Sequence, residues 1–113
     1  MTKQGVGMDK GFTERRKKYE EKWALDEELR FKVAARRNKL LGQWTAEQLR
    51  LPADAAEAYA KAVVAAGLHA GGVEKVIEKV TADLEDAGVS ADAVHAKLDE
   101  FTLLAKEQIQ QGR

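Results

Sequence analysis

The sequence predicts an all-α fold, a four-helix bundle with a long first helix and a flexible N-terminal tail. Its apolar residues are mainly Ala, Leu and Val, charged residues make up 34% of the chain, and Pro52 is the single proline. This composition favours helices over strands. A chain of 113 residues, 44% of them hydrophobic, suffices for one compact domain with a modest core.

The N-terminal residues 1–11 are predicted to form a flexible tail, because they lack apolar periodicity and contain three glycines. A helical pattern then runs from Thr13, a candidate N-cap, to about Leu49. Pro52 stops it, because the residue before a proline is pushed out of the α region. A continuous helix over this stretch would be about 55 Å long.

The apolar stripe of this first helix changes direction part-way along. Two sets of apolar residues lie on faces about 60–80° apart: Phe12, Tyr19 and Trp23, then Leu29, Val33, Leu40 and Trp44. An acidic cluster begins at the change, and Asp26 can cap a new helix there. The pattern therefore predicts a helical segment 12–25 and a bundle domain 26–113, and it permits a kink near residues 24–26.

Three shorter helices follow. The second begins near Asp54, which forms a capping-box-like pair with Glu57, and Gly67 is its predicted C′ residue. The third ends at Gly88, and Ser90 caps the fourth, which runs to about Gln110. Short connections predict antiparallel neighbours. The core positions recur at helical spacing: Ala56, Tyr59, Ala60 and Val63; Val73, Val76, Ile77, Val80, Leu84 and Ala87; Val94, Leu98, Phe101, Ala105 and Ile109.

The residues offer no catalytic site, so the protein is predicted not to be an enzyme. Without cysteine there is no thiolate nucleophile, disulfide or sulfur-ligated metal. His69 lies beside glycines, and His95 has no carboxylate at metal-ligand spacing, so both are expected to be structural or solvated and no metal is expected. Gly71-Gly72 lacks the Lys-Ser/Thr and the preceding strand of a phosphate-binding loop.

Neither a signal peptide nor an apolar run long enough to span a bilayer is evident, which predicts a cytoplasmic protein without direct membrane insertion. The net charge is zero, but residues 1–50 carry 13 basic and 8 acidic residues, and residues 51–113 carry 6 and 11. Basic residues cluster at 15–18 and again at Arg36, Arg37 and Lys39. An alternative function is therefore nucleotide or nucleic-acid binding. Carboxylates are interleaved with these basic residues, however, and i,i+4 ion pairs between them are ordinary helix-stabilising contacts. No nucleic-acid partner is therefore expected.

The aromatic face of residues 12–25 is the strongest candidate for a functional surface. Five of the seven aromatic residues lie in the first 44 residues, and the bundle is too short to cover the whole first helix. Two interpretations stay open: the segment folds back onto the bundle, or it inserts as a helix into a partner's groove, with aromatic anchors and basic residues. The candidate partner-binding residues are Phe12, Arg15, Arg16, Tyr19 and Trp23.

Part of the sequence resembles a known family. The runs Trp23-Ala-Leu-Asp-Glu-Glu-Leu-Arg-Phe31-Lys and Ala35-Arg-Arg-Asn-Lys-Leu-Leu-Gly-Gln-Trp44 resemble the signature of the zeta subunit of alphaproteobacterial F-type (F1FO) ATP synthases. The likeness covers about residues 12–110, including Ala58-Tyr59-Ala60 and Ala105-Lys-Glu-Gln-Ile109. The residues that match the signature are Asp26, Glu27, Glu28, Leu29, Arg30, Phe31, Arg36, Arg37, Asn38, Leu40, Leu41, Gly42 and Trp44.

The resemblance implies a four-helix protein that binds the F1 head, blocks ATP hydrolysis and associates with the membrane-bound synthase. It implies that the inhibitory part is the N-terminal segment, here about Phe12 to Leu25, wedged at an α/β catalytic interface against the γ subunit. The implied partners are therefore the α, β and γ subunits of F1. The family also implies adenine-nucleotide binding, which no residue pattern here indicates, so no cofactor is expected from the residues themselves.

Overall fold

The computed structural model of the protein describes residues 26–112, and every regular element in that range is helical. The elements are α1 (Glu27–Gln48), α2 (Ala53–Ala66), α3 (Gly72–Leu84), a short 3-10 helix (Glu85–Ala87) and α4 (Ala91–Gln110). The predicted all-α bundle is confirmed. The predicted tail 1–11 and segment 12–25 lie outside the described residues.

The core lies in one compact unit, Lys32–Arg113, and all four helices supply side chains to it. Each fully buried large aliphatic side chain contributes about 1.5–3 kcal/mol to the free energy of unfolding, so the core side chains are the main source of stability. The buried cluster consists of Leu41 from α1, Val63 from α2, Val76, Val80 and Leu84 from α3, and Val94 and Leu98 from α4.

Most predicted core positions of the three short helices are confirmed, and two are wrong. Val73 is 39% exposed because it lies in the first turn of α3, ahead of the buried positions that begin at Val76. Ala87 is exposed because α3 ends at Leu84 and the 3-10 helix turns about 120° per residue, which breaks the α-helical phase. Half-buried positions at the edge of the core include Tyr59, Ile77 and Phe101.

The helix boundaries confirm one predicted cap and correct another. Ser90 caps α4, since its Oγ accepts a hydrogen bond from the Ala93 amide at 3.1 Å. Asp54 does not cap α2: the helix begins one residue earlier, with Pro52 as N-cap and no side-chain cap. Asp54 instead lies in the first turn, where its carboxylate suits the positive helix end.

The ends of α1 and α3 use the same capping geometry with different residues. At the end of the 3-10 helix that follows α3, Gly88 is left-handed with φ 74°, and the amides of Gly88 and Val89 donate to the carbonyls of Glu85 and Leu84. At the end of α1, Arg50 takes that role with φ 57°; its amide donates to Glu47, and the next amide donates to Ala46. Both are Schellman motifs.

Gly67 follows α2 directly, but with φ −78° it is right-handed rather than the left-handed C′ residue that was predicted. Its lack of a side chain serves packing instead, because a Cβ there would overlap the Asn38 amide of α1. The contacts of Gly67 with Asn38 and of Gly42 with Ala60 show that α1 and α2 are antiparallel, as their short connection predicts.

Candidate functional site

The candidate partner-binding residues Phe12, Arg15, Arg16, Tyr19 and Trp23 all lie outside the described residues, so their role stays a prediction. The structure does describe the whole stretch of signature residues, from Asp26 to Trp44. That stretch lies in α1 and its N-cap. It divides into a polar, exposed beginning and a buried middle, which have different tasks.

The signature begins with a helix cap. The Leu29 amide donates to Asp26 Oδ1 at 3.2 Å, and the Arg30 amide donates to the Asp26 carbonyl at 3.1 Å. Glu27 and Glu28 occupy the first turn, where their negative charge is favoured by the helix dipole. The predicted capping role of Asp26 is confirmed. Residues 24 and 25, where the kink was predicted, lie outside the described residues.

The first turns of α1 present an apolar side chain to solvent. Phe31 is 59% exposed, next to Arg30, whose guanidinium lies 3.9 Å from the Glu27 carboxylate in an exposed ion pair. An exposed aromatic beside arginine is typical of interaction surfaces. Phe31 was predicted only as a signature residue. Its position two residues from both Leu29 and Val33 places it about 200° around the helix, a signal that spacing alone contains.

The buried middle of the signature differs from the predicted stripe. Val33 is buried as expected, but Leu40 and Trp44 are only half-buried, and Leu29 is half-buried as well. The buried face follows ideal helical spacing through residues that a search for large apolar side chains overlooks. Its members are Asn38, Leu41, Gly42, Thr45 and Ala46. The centre of the predicted face was wrong because small and polar residues, rather than Leu40 and Trp44, make the close contact with α2, although Trp44 still packs against the core from its half-buried position.

The buried polar groups of this face have partners. Thr45 Oγ1 donates to the Leu41 carbonyl at 2.8 Å, and Asn38 Oδ1 accepts from Arg37 Nε at 3.0 Å. Trp44 packs at the core edge with the Lys97 ammonium 5.8 Å from its ring centre, within the range of a cation–π contact. The two hydrogen bonds lie within α1, whereas Trp44 packs against the core and contacts Lys97 of α4.

The three basic residues behind the nucleic-acid alternative do not form one exposed patch. Arg36 is half-buried and donates to Gln108 Oε1 on α4 at 2.8 Å. Arg37 is also half-buried, and burial lowers the pKa of its guanidinium. Only Lys39 is exposed. Phosphate binding needs cations that converge on one surface, and this arrangement gives no support to that alternative.

Other residue classes add no competing site in the part of the chain that the structure describes. His69 and His95 are exposed. Between residues 26 and 112 no group of three or more His, Cys, Asp or Glu side chains is placed to hold a metal ion. Nor does this range contain a helix both long and apolar enough to cross a bilayer.

Comparison with known families decides the assignment. A family model described as ATPase inhibitor subunit zeta matches residues 8–108, which leaves out seven residues at one end and five at the other. The chain belongs to the ATPase inhibitor subunit zeta family. No curated protein and no solved structure matches the chain significantly.

Membership of the zeta family supports an inhibitory role towards an ATPase and implies interaction with ATP synthase. It supports a regulatory rather than a catalytic protein. The match also spans the signature of α1 and the whole of the segment 12–25, together with α2, α3 and most of α4, so the bundle is as much a part of the family as the N-terminal region.

Proposed function

We propose that this zeta-family protein binds the F1 head of ATP synthase and inhibits ATP hydrolysis through its N-terminal segment 12–25. The observation that carries the proposal is the family match over residues 8–108, which includes this segment. The proposed contact is the α/β catalytic interface beside the γ subunit. In this proposal the bundle 26–112 is the folded domain that carries the inhibitory segment.

The residues of the segment support this role by their chemistry. Phe12, Tyr19 and Trp23 recur at helical spacing, with Arg15 and Arg16 between them. Tyr, Trp and Arg are the residues most enriched among interface hot spots, and aromatic anchors at such spacing are typical of a helix that binds in a groove. The exposed Phe31 and Arg30 at the start of α1 carry the same residue types into the described part of the chain.

An inhibitor of a rotary motor needs no chemistry of its own. It must bind one conformation of a catalytic interface more tightly than the others. A preference of about 5.5 kcal/mol swings a two-state equilibrium from about 1:99 to about 99:1. Burying a few aromatic side chains at about 1.5–3 kcal/mol each supplies that preference, provided that the groove exists in only one conformation.

The test is the rate of ATP hydrolysis by F1 purified from the same organism, measured with increasing amounts of the full chain. We expect inhibition by the wild type and loss of inhibition in the triple variant Phe12→Ala, Tyr19→Ala, Trp23→Ala. Leu103→Ala is the matched control, because it truncates a large apolar residue that is 69% exposed on α4 and should inhibit as the wild type does.

Two results would contradict the proposal. The absence of both binding and inhibition at micromolar wild-type protein would reject F1 as the target. Undiminished inhibition by the triple variant would keep F1 as the target and reject segment 12–25 as the inhibitory part. Circular dichroism of each variant shows that the bundle is still folded.

A further inference from the structure

A groove runs along the outer side of the contact between α1 and α2, away from the core. Its volume is about 660 Å³, large enough for one or two bulky side chains. One wall is the row Lys39, Gln43 and Glu47 on α1, and the other belongs to α2. The α2 wall consists of Ala53, Ala56, Glu57, Ala60, Lys61 and Val64.

The groove exists because α2 has a second apolar face made of small residues. Ala53, Ala56, Ala60 and Val64 follow one another at intervals of three and four residues, which places them on one face. Val63, by contrast, points into the core. No large side chain of α2 fills the space beside α1, so the floor is shallow and apolar.

The charges on the α1 wall are separated along the groove. Lys39 and Glu47 are both exposed and stand two turns apart on α1, about 12 Å at 1.5 Å per residue. Because α2 is antiparallel and Ala60 lies against Gly42, Lys61 lies towards the Lys39 end and Glu57 towards the Glu47 end. The α1 wall therefore has a basic end at Lys39 and an acidic end at Glu47, whereas the charges of Lys61 and Glu57 on the α2 wall meet at 3.6 Å and offset each other.

The charged pair on α1 is available to a partner. Lys61 and Glu57 lie 3.6 Å apart in an exposed ion pair, which contributes little to stability. Among residues 26–112, Lys39 and Glu47 make neither an ion pair nor a side-chain hydrogen bond. Both side chains are exposed and solvated, so a binding partner can reach their charges.

We propose that this groove is a second docking site of the inhibitor, which receives an amphipathic helix of ATP synthase. The inference rests on the proposed function, since the partner is the same enzyme. The bound helix places a large apolar side chain over Ala56 and Ala60. It carries a carboxylate that meets Lys39 and, about two turns away, a basic residue that meets Glu47.

This occupant fits better than a second copy of the chain. A two-fold axis would match the basic end of each groove with the acidic end of the other, but it would also set one concave surface against another and leave the floors empty. A helix with a protruding apolar side chain fills the space and satisfies both ends.

The first test fills the groove in the full-length chain. Ala56→Trp places an indole over the floor, and Ala58→Trp is the matched control, since Ala58 lies on the same helix, is exposed and does not line the groove. Binding to purified F1 or to the intact synthase is measured by biolayer interferometry. We expect Ala56→Trp to weaken binding about tenfold and Ala58→Trp to leave it unchanged.

The second test reverses the charges without adding bulk. The double variant Lys39→Glu, Glu47→Lys keeps the net charge and inverts the two ends of the groove. We expect it to weaken binding about tenfold at low salt, with a smaller loss at high salt, since exposed charges are screened. Exchange of the adjacent exposed charges on α3 (Glu74→Lys, Lys75→Glu) is the control and should have no effect.

The outcomes separate this inference from the proposed function. If the wild type neither binds nor inhibits, the proposed function fails and the groove has no partner there. If the wild type binds and both groove variants bind equally well, only the docking inference is overturned. Two further results would assign the groove to another occupant and also overturn the inference. One is a wild-type dimer that Ala56→Trp dissociates. The other is hydrogen-exchange protection of residues 12–25 in the free chain that Ala56→Trp removes.

Discussion

The backbone of Ala60 on α2 occupies the space that a side chain at Gly42 on α1 would need. A Cβ at residue 42 would lie 2.7 Å from the Ala60 Cα, closer than Cβ contacts in folded proteins, and 3.2 Å from the Val63 Cβ, which is a tight contact. Because one partner is backbone, a rotamer change cannot relieve the overlap. The contact holds α1 and α2 close together and creates the shallow groove beside them.

Gly42→Ala should therefore destabilise the protein, although alanine has the higher helix propensity. The propensity gain is about 1 kcal/mol, and overpacking against a neighbouring helix costs about 1–3 kcal/mol, so we expect a net loss of about 1 kcal/mol. Urea denaturation followed by circular dichroism measures it. Gln43→Ala, at the exposed neighbouring position, is the control. A stabilised Gly42→Ala variant would show that the helices separate without penalty.

The buried face of α1 shows which parts of this fold the sequence pattern predicts and which it does not. Within residues 26–112, the number of helices, their order and most of the core of α2, α3 and α4 could be predicted, because large aliphatic residues recur there at helical spacing. In α1 the buried face runs through Asn38, Gly42 and Thr45, which hydropathy does not mark. Their burial depends on the close approach of Ala60 on α2 to Gly42, which the residue pattern of α1 alone does not indicate.

Some features of the candidate site could be predicted from the sequence, and others could not. The capping role of Asp26 follows from residue type and position, and the structure confirms it. The exposure of Phe31 could have been inferred from spacing. The groove could not, because it depends on which face of α1 meets α2, and the predicted face was turned towards Leu40 and Trp44.

Asp26→Ala should loosen the start of α1. It removes the acceptor for the Leu29 amide, and loss of such a cap costs about 1 kcal/mol. Hydrogen exchange of the amides of residues 27–30 should accelerate, whereas exchange in α3 should not change. Asp26→Asn keeps an acceptor oxygen and should restore most of the protection. Equal exchange in the alanine and asparagine variants would mean that the cap bond contributes nothing.

A polar cluster joins α2 to α3. Tyr59 Oη donates to Asp83 Oδ2 at 2.6 Å, the same oxygen lies 3.2 Å from Lys79 Nζ, and that ammonium stands 4.9 Å from the centre of the tyrosine ring. Burial, followed by the hydrogen bond to the Asp83 carboxylate and its charge, raises the pKa of Tyr59. Tyr59→Phe should lower the free energy of unfolding by about 1 kcal/mol at neutral pH.

The pH dependence of this contribution has a definite sign. Below the ordinary tyrosine pKa of 10.0, folded and unfolded chains both carry the protonated phenol, and the contribution is complete. Above it the unfolded chain loses the proton while the folded chain keeps it, so stability falls as pH rises. Urea denaturation between pH 8 and pH 11 should show a steeper decline for the wild type than for Tyr59→Phe. Parallel declines would contradict the raised pKa.

The two Schellman motifs predict opposite effects for two glycine exchanges. Arg50 and Gly88 both have left-handed backbones, with φ 57° and 74°, and both helix ends make the same pair of hydrogen bonds. A side chain in this region costs about 1–2 kcal/mol relative to glycine. Arg50→Gly should therefore stabilise the protein by about 1 kcal/mol. The higher conformational entropy of glycine in the unfolded chain reduces this gain slightly. Gly88→Ala should destabilise it by a similar amount, even though no atom lies within 4 Å of the added Cβ.

Urea denaturation of both variants tests this pairing, with Arg50→Ala as the control that removes the guanidinium but keeps the Cβ. If Arg50→Ala stabilises as much as Arg50→Gly, the effect comes from charge rather than from the backbone. If Gly88→Ala is neutral, the strain at that turn is relieved elsewhere. Because the motif of Arg50 ends α1 and leads into α2, relief there should also slow hydrogen exchange of the amides of residues 50 and 51, which close that turn.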